Sequence, residues 1–469
     1  MKPNPVLDKA KMVIAALLVF PIGYILHVNL VVPAFLLVLY GYYKATKKDD
    51  SRRRGNLLNL ALLFVLILTV SYYIIQHQKI SIYWIPFSVI PMLCMVLFND
   101  LALSLLVTLA SSVSVASVSG GHFHLGVLFL ISGLLSSMLV QSVRRRASII
   151  RAGFIIGMVQ AVVWVFIEHF RVIDPETYAV LIFNGVYSSI IVVGILPVFE
   201  YLFGTVTNIS LLELADFHHP LLQRMIMEAP GTYHHSLVVG NLSEAACDAV
   251  GANALLARIG AYYHDIGKLS KPEYFSENQY MITNKHDDLT PSMSKLVIMN
   301  HVRDGVELAK KYKLNPSLYE FILQHHGTSL VYYFYRRALE NQEDTQEVKE
   351  ERFRYPGPKP NLKETAIVLL ADSVEAATRT LKEPAPADIE EMVRKIINNK
   401  FIDGQLDECD LTLKDLERIA AVFSRILGGI YHSRVTYPHA QSSENNNKKS
   451  SKQDTHQRTD NAPDKKRDS

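Results

Sequence analysis

Cysteine is scarce in this 469-residue chain: Cys94, Cys247 and Cys409 stand far apart, with no Cys-x-x-Cys pair. That argues against a disulfide framework or a zinc ribbon and fits a reducing compartment. An excess of charge is missing as well, with 48 Lys and Arg against 45 Asp and Glu and a net charge of +3. Together with the lack of a basic, aromatic-interleaved face, this predicts no nucleic-acid partner. From residue 204 onward no period-two alternation marks a strand. Lysines precede the first apolar run as in a signal peptide, yet no clear small-residue cleavage site follows and more apolar runs do, so the first span is read as retained.

What the chain has in abundance is apolar sequence. It is 49% hydrophobic with a positive mean hydropathy, and the average joins two unlike halves. Residues 12–203 are almost continuously apolar, whereas 204–435 have the charge content of an ordinary globular domain. Crossing a bilayer takes roughly 20 apolar residues. Spans are expected near 12–27, 29–43, 57–75, 81–98, 101–119, 124–143, 150–169 and 178–203, with a hairpin at His27 and Asn29 separating the first two. Both of those are short, which leaves seven spans open beside eight. Lys44, Lys47, Lys48, Arg52, Arg53 and Arg54 cluster in one loop and Arg144, Arg145 and Arg146 in another, while the alternate loops hold only Lys79 and Arg171. The positive-inside rule puts both clusters, and the half after residue 204, in the cytoplasm. Asp100, Glu168 and Glu200 fall near span ends, and His122 and His124 lie in an external Gly-Gly loop. That leaves anchoring in the lipid bilayer, rather than transport, as the reading of this half.

Helical signals dominate the second half. Thr290-Pro291 and Asn315-Pro316 each set a capping side chain before a proline at the first helical position. The latter opens a helix over 316–326 that Gly327 closes, with His325-His326 at its C-terminal end. A helix over 253–265 ends in His264-Asp265 and is terminated by Gly267. Residues 340–361 are charged and then proline-rich, an excursion before helices near 362–381, 386–400 and 411–428. The expected fold is all-α: a polytopic transmembrane helical bundle over 1–203, a cytoplasmic connector over 204–232, an all-helical domain over 233–435, and a polar, disordered tail over 436–469.

Five histidines and two aspartates of that domain carry the candidate chemistry: His235, His264-Asp265, His301, His325-His326 and Asp372. Imidazole and carboxylate suit first-row divalent ions such as Mn, Fe, Co or Zn. Successive helical residues point about 100° apart, so an adjacent His-Asp pair straddles one site only if it ends a helix and the Asp bridges two ions. Two metals roughly 3.5–4 Å apart clamp both the attacking and the leaving oxygen of a phosphodiester. Spacing alone leaves surface or core roles open for these residues, because His-Asp is a short motif.

The longer context is more specific. His264-Asp-Ile-Gly-Lys268 matches the HD-domain phosphohydrolase signature. Around it stand Leu211-Leu-Glu-Leu214, His219-Pro-Leu-Leu222, Glu228-Ala-Pro-Gly-Thr-Tyr-His-His-Ser236, Gly260-Ala-Tyr-Tyr-His-Asp265 and Glu277-Asn-Gln279. Further on come Gln324-His-His-Gly-Thr328, Phe353-Arg-Tyr-Pro-Gly-Pro-Lys-Pro360, Ala371-Asp-Ser-Val-Glu375 and Asp403-Gly-Gln-Leu-Asp407. The soluble half, and the membrane half in its layout, resemble the bacterial seven-transmembrane HD family, the PgpH-type cyclic-di-AMP phosphodiesterases. The resemblance implies that His235, His264, Asp265 and Asp372 bind one metal ion. It likewise implies that Asp265, His301, His325 and His326 bind a second, Mn or Fe for the pair, with Asp265 as catalytic bridge. Lys268 is expected to stabilise phosphoryl charge, Arg303 and Thr328 are candidate substrate contacts, and His234, His218 and His219 are read as packing or support.

The implied function is hydrolysis of cyclic di-AMP to linear pApA by a multi-pass enzyme of the bacterial inner (plasma) membrane with its HD domain in the cytoplasm. A homo-oligomer is left open. Members of the family typically carry a large extracellular domain after the first span, where this chain has only the His27-Val-Asn29 turn. A cyclic-di-GMP hydrolase of the HD-GYP type is disfavoured, because Gly327-Thr328 rather than Gly-Tyr-Pro follows the histidine pair. An HD-class hydrolase of another nucleotide or nucleic acid, and an inactive nucleotide-binding receptor, are the competing readings.

Overall fold

The computed structural model describes residues 51–76, 81–119, 122–169, 174–203, 205–279, 284–340, 348–381 and 384–432. The expected spans at 12–27 and 29–43, the His27 hairpin, the Lys44, Lys47 and Lys48 half of the first basic cluster, and the tail lie outside them. Sixteen α-helices make up the described fold. Among the described residues there is no strand, only one β-bridge between Leu330 and Arg354.

The membrane half holds α1 (Ser51–Gln76), α2 (Val89–Phe98), α3 (Leu101–Val118), α4 (Phe123–Leu139), α5 (Arg146–Ile167) and α6 (Pro175–Phe203). Of these, α3, α5 and the Pro175–Leu202 part of α6 are long and apolar enough to cross a bilayer, while Ala61–Gln76, Ile82–Phe98 and α4 are shorter apolar segments. The span expected at 81–98 is not one continuous helix: it is a 3-10 turn, Ile82–Trp84, an extended Ile85, and the ten-residue α2. Pro86 is the cause, since it pushes the residue before it out of the helical region and lacks an N–H of its own. The carbonyls freed by this break are met by α6. Asn184 Nδ2 donates to the carbonyls of Tyr83 at 2.8 Å and Ile85 at 2.9 Å, and the Tyr187 hydroxyl donates to Trp84. Irregular backbone is tolerable in lipid only with such partners.

Helices α5 and α6 touch backbone to backbone. A methyl group on Gly157 would lie 2.2 Å from the Ile182 carbonyl, and one on Gly185 2.2 Å from that of Gly153. Small residues at such a seam let dispersion contacts replace the hydrophobic drive that lipid removes. The hydroxyls of Thr108, Ser112, Ser132 and Ser136 are satisfied within their own helices by the carbonyl four residues back. Asp100, one of the acidic residues near span ends, caps α3 by accepting from Leu103 N at 3.0 Å.

A short helix, α7 (Asn208–Leu214), joins the halves. Its Ile209 packs in the membrane core and its Leu211 in the soluble core. Glu200, at the end of α6, accepts from Thr207 Oγ1 at 2.5 Å and from Ser210 Oγ at 2.7 Å. Arg146 at the start of α5 makes a two-pronged pair with Glu213, at 2.9 and 3.1 Å.

The soluble half continues with α8 (Pro220–Glu228), α9 (Pro230–Val250), α10 (Ala254–Tyr263), α11 (Pro291–Lys311), α12 (Tyr319–Gln324), α13 (Tyr332–Glu340), α14 (Lys363–Thr378), α15 (Pro386–Ile402) and α16 (Leu413–His432). Val239 and Leu242 of α9, Ile259 and Tyr263 of α10, Ile367 and Leu370 of α14 and Phe423 of α16 are buried in one core. Leu221, Leu222 and Met225 of the segment read as a connector belong to that same core. Local signals explain the ends: Asn253 caps α10 by accepting from Leu256 N at 3.1 Å, and Thr290 caps α11 from Met293 N. The helix expected at 316–326 is a 3-10 turn, Pro316–Leu318, followed by α12, and Gly327 takes the left-handed conformation at φ +53°. Gly267 does not terminate a helix as expected. It sits inside a 3-10 segment, Ile266–Ser270, where a Cβ would come within 1.7 Å of the His301 carbonyl, so its role is to let α11 approach.

Candidate metal centre

Each candidate side chain is delivered by a helix or a helix end. Pro230 opens α9 at its first position and α9 carries His235 inward. His264 and Asp265 follow α10, His301 lies in mid-α11, His325 and His326 follow α12, and Asp372 lies on α14. All but His326 are buried. Two groups result, His235, His264, Asp265 and Asp372 in one and His301, His325 and His326 in the other. Within each group one ligand atom per residue lies within 4.8 Å of every other.

Asp265 stands between them. Its Oδ2 is 3.2 Å from His264 Nε2 and 3.7 Å from His235 Nε2, while its Oδ1 is 3.3 Å from His301 Nε2 and 3.5 Å from His325 Nε2. His235 Nε2 lies 3.0 Å from Asp372 Oδ1, and His326 Nδ1 lies 3.5 Å from the other Asp372 oxygen.

Three imidazoles share one device. His264 Nδ1 bonds the Ala261 carbonyl at 2.6 Å, His301 Nδ1 that of Ile298 at 2.5 Å, and His325 Nδ1 that of Ile322 at 2.9 Å. A carbonyl can only accept, so each Nδ1 carries a proton and each Nε2 is turned inward. Burial pushes the pKa of His301 down to about 4, against the pull of Asp265, so this ring is neutral near pH 7 and its Nε2 is a bare lone pair. That lone pair faces His325 Nε2 at 3.1 Å. A proton or a cation must lie between the two nitrogens. Oδ1 of Asp265 and Nε2 of His264 are buried without a hydrogen bond in the protein, and Oδ2 of Asp265 has the Lys268 ammonium at 2.7 Å. Leaving the first two unmet is costly unless an ion completes them. The donor set, imidazole with carboxylate, suits divalent transition metals. The residues present therefore fit a metal centre.

The remaining electrostatics agree. Burial alone would raise the Asp265 carboxyl, but the His264 ring and the Lys268 ammonium beside it hold it well below the usual carboxylate range. Asp372 is held down likewise by the hydrogen bond from His235 and by the His326 ring. His235 behaves oppositely to His301: burial would lower it, but hydrogen bonds to Asp372 and Glu375 outweigh burial and raise it to about 9.

Comparison with known proteins finds relatives over both halves of the chain. The family described as 7TM receptor with intracellular HD hydrolase matches residues 22–207, and the HD domain family matches 232–377. The cyclic-di-AMP phosphodiesterase PgpH of Bacillus subtilis is 39% identical over 87% of this chain, and that of Listeria monocytogenes 37% identical over 86%. This chain belongs to the seven-transmembrane HD family. It is a membrane protein of that family, and it spans about three-fifths of the length of these two relatives, 59% and 58%. A crystal structure of the L. monocytogenes PgpH HD domain is 48% identical, covering 46% of this chain and all of that one, with a TM-score of 0.44.

The other expected residues of this seven-transmembrane HD protein are placed unequally. Lys268 is beside the centre, its Nζ 2.7 Å from Asp265 Oδ2 and 2.7 Å from Glu277 Oε1, and these carboxylates hold its ammonium charged against the cost of burial. Thr328 follows the histidine pair, but its N–H and hydroxyl are engaged by Gln405. Arg303 points away: its side chain is 81% exposed and pairs with Glu307 at 3.4 Å. His219 caps α8 and its ring meets Tyr263 edge-on.

Several participants were not singled out by the sequence. Glu375 takes His235 Nδ1 at 2.5 Å, and Arg379 pairs with Glu375 in turn. Glu277 holds Lys268 and accepts from Thr232 Oγ1 at 3.1 Å. Tyr355, buried, stacks on the His326 ring with centroids 4.3 Å apart. Glu277, Tyr355 and Glu375 all lie in segments that carry the resemblance, and Glu375 had a further signal, because it follows Asp372 by three residues on one face of α14.

Proposed function

We propose that this chain is a membrane-anchored, metal-dependent phosphodiesterase that hydrolyses cyclic di-AMP to linear pApA on the cytoplasmic side of a bacterial plasma membrane. The observation that carries the chemistry is the buried Asp265 carboxylate, with one oxygen toward each of two ligand groups. The substrate rests on likeness to two enzymes named cyclic-di-AMP phosphodiesterase. In this reading residues 1–203 are the anchor and 233–435 the hydrolase domain. The cytoplasmic orientation is supported by the basic clusters and by the Arg146–Glu213 pair, which sets one cluster beside the start of the soluble half.

His235, His264, Asp265 and Asp372 would hold one divalent ion, and Asp265, His301, His325 and His326 the other, Mn or Fe in each place. Bound there, such a pair supplies Lewis acidity toward a phosphoryl oxygen and makes hydroxide available from water near neutral pH. The protein supplies position and charge. Carbonyl bonds at Nδ1 fix the His264, His301 and His325 rings, so their inward nitrogens need no reorganisation during reaction. Lys268, kept cationic by Asp265 and Glu277, faces phosphoryl charge as it develops. Water adds to one phosphorus and the ribose 3′ oxygen departs, leaving the 5′ phosphate of pApA.

The test is a competition assay with cyclic di-AMP and cyclic di-GMP on the full chain in detergent, reconstituted with Mn or Fe. A site that hydrogen-bonds one purine edge leaves its polar groups without partners when the other purine binds, so cyclic di-AMP should be cleaved much faster, with pApA as the first product. Equal rates, or an intact cyclic di-AMP pool, would overturn the substrate while leaving the metal centre standing.

A further inference from the structure

Lys400 is a cation without a counterion on the rim of this centre. It lies in the last turn of α15, half-buried, and its Nζ donates to Ser329 Oγ at 2.7 Å. Neighbouring cations are all matched: Lys268 by Asp265 and Glu277, Arg354 by Asp403, Lys359 by Asp407 and Arg379 by Glu375. Among the described residues no carboxylate lies at ion-pair distance from Lys400, whose one hydrogen-bond partner is a neutral hydroxyl. Burial lowers its pKa from the usual lysine value, Asp372 and Asp403 oppose that only in part, and Arg354 adds to it. A half-buried ammonium with two unused donors and no anion beside it is poised to take one.

Its location says which anion. Ser329 follows His326 by three residues, and the Ser329 carbonyl accepts from Tyr355 N at 3.0 Å, the same Tyr355 whose ring stacks on His326. Asp372, of the metal centre, acts on Lys400 electrostatically. Lys400 thus borders the centre at its His326 and Asp372 side, while Lys268 serves the Asp265 side. A cyclic dinucleotide carries two phosphodiesters, and only one reacts at a time. We propose that Lys400 is a substrate-binding residue that grips the second, non-reacting phosphodiester of a cyclic dinucleotide while the first lies at the metal centre. The assignment rests on the phosphodiesterase reading above.

The alternative is that Lys400 merely holds the Ser329 loop, and Lys400→Gln separates the two, because an amide can still donate to Ser329 Oγ but carries no charge. The full chain in detergent, loaded with Mn, is assayed with cyclic di-AMP and with bis(p-nitrophenyl) phosphate, a diester with a single phosphate. Loss of a charge-assisted hydrogen bond should raise KM for cyclic di-AMP roughly ten- to a hundredfold. The kcat, the metal content and the turnover of the single-phosphate diester should stay within about twofold of wild type, and Lys400→Arg should restore KM. Lys400→Met is the second charge-free variant, to be used if the Gln chain does not fold. An unchanged KM for cyclic di-AMP, or an equal loss on both substrates, overturns the assignment. A wild-type chain that turns over the single-phosphate diester but leaves cyclic di-AMP intact removes the functional reading, and the assignment with it.

Discussion

Replacing Asp265 by Asn probes the metal centre at its narrowest point. The side chain is 1% exposed, and its two oxygens face His264 at 3.2 Å and His301 at 3.3 Å. Asn keeps the shape, removes the negative charge, and turns an N–H donor toward one of the two groups. Whichever way the amide lies, one group loses an oxygen ligand and both lose the anion that offsets cation–cation repulsion. Losing an outer partner of a metal ligand typically costs about 10- to 100-fold in affinity. A carboxylate shared by both positions should sit at or beyond the top of that range for each ion, about 100-fold or about 2.7 kcal/mol. Lys268 keeps Glu277 at 2.7 Å, so the fold should persist without metal. The assay is metal content per chain after dialysis against graded chelator, with melting in metal-free buffer as the control for folding. His301→Ala and His235→Ala should each weaken mainly one position, whereas Asp265→Asn should weaken both. Wild-type retention of two ions in Asp265→Asn, or selective loss of one, would refute the shared carboxylate.

Three further outcomes are expected. Glu375→Gln removes the carboxylate that orients His235 and should lower metal affinity at that group about 10- to 100-fold, measured by chelator competition; an unchanged affinity would dismiss the orienting role. His235, raised to about 9 in the metal-free protein, is protonated at pH 7, so metal uptake must expel that proton. Its pairing stabilises the metal-free state below the usual histidine range and is lost as pH rises through about 9, so apparent metal affinity should climb with pH up to about 9 and then level off. Calorimetry at pH 7 in buffers of different ionisation enthalpy should register about one proton released for His235, and none released would contradict the assignment. Reporter fusions after residue 435 should read cytoplasmic and fusions at Lys2 should separate eight spans from seven; an external reporter after 435 would reverse the topology.

The amino-acid sequence by itself determined what depends on runs and near neighbours. Apolar stretches of bilayer length marked α3, α5 and α6, because span length follows from bilayer thickness. A capping side chain and a first-turn proline marked the start of α11, because they act within one turn of the chain. The break at Pro86 was just as local, yet the unbroken apolar run around it read as one span. The side chains that meet at the candidate centre were also legible, through the resemblance rather than through their spacing.

Tertiary structure alone decided how those side chains meet. His235 reaches Asp372 across 137 residues and Glu375 across 140, and no periodicity encodes such a distance. Gly267 looked like a helix stop, but what it serves is the backbone of α11, 34 residues on, packed against its α-carbon. Arg303 follows His301 by two residues and so points to the opposite side of α11, into solvent. Lys400, unremarked in the sequence, is brought to the rim of the centre because Val393 and Ile397 of α15 are buried in the core. Local stereochemistry sets which groups a segment can offer, while the packing of distant apolar faces sets which of them share a site.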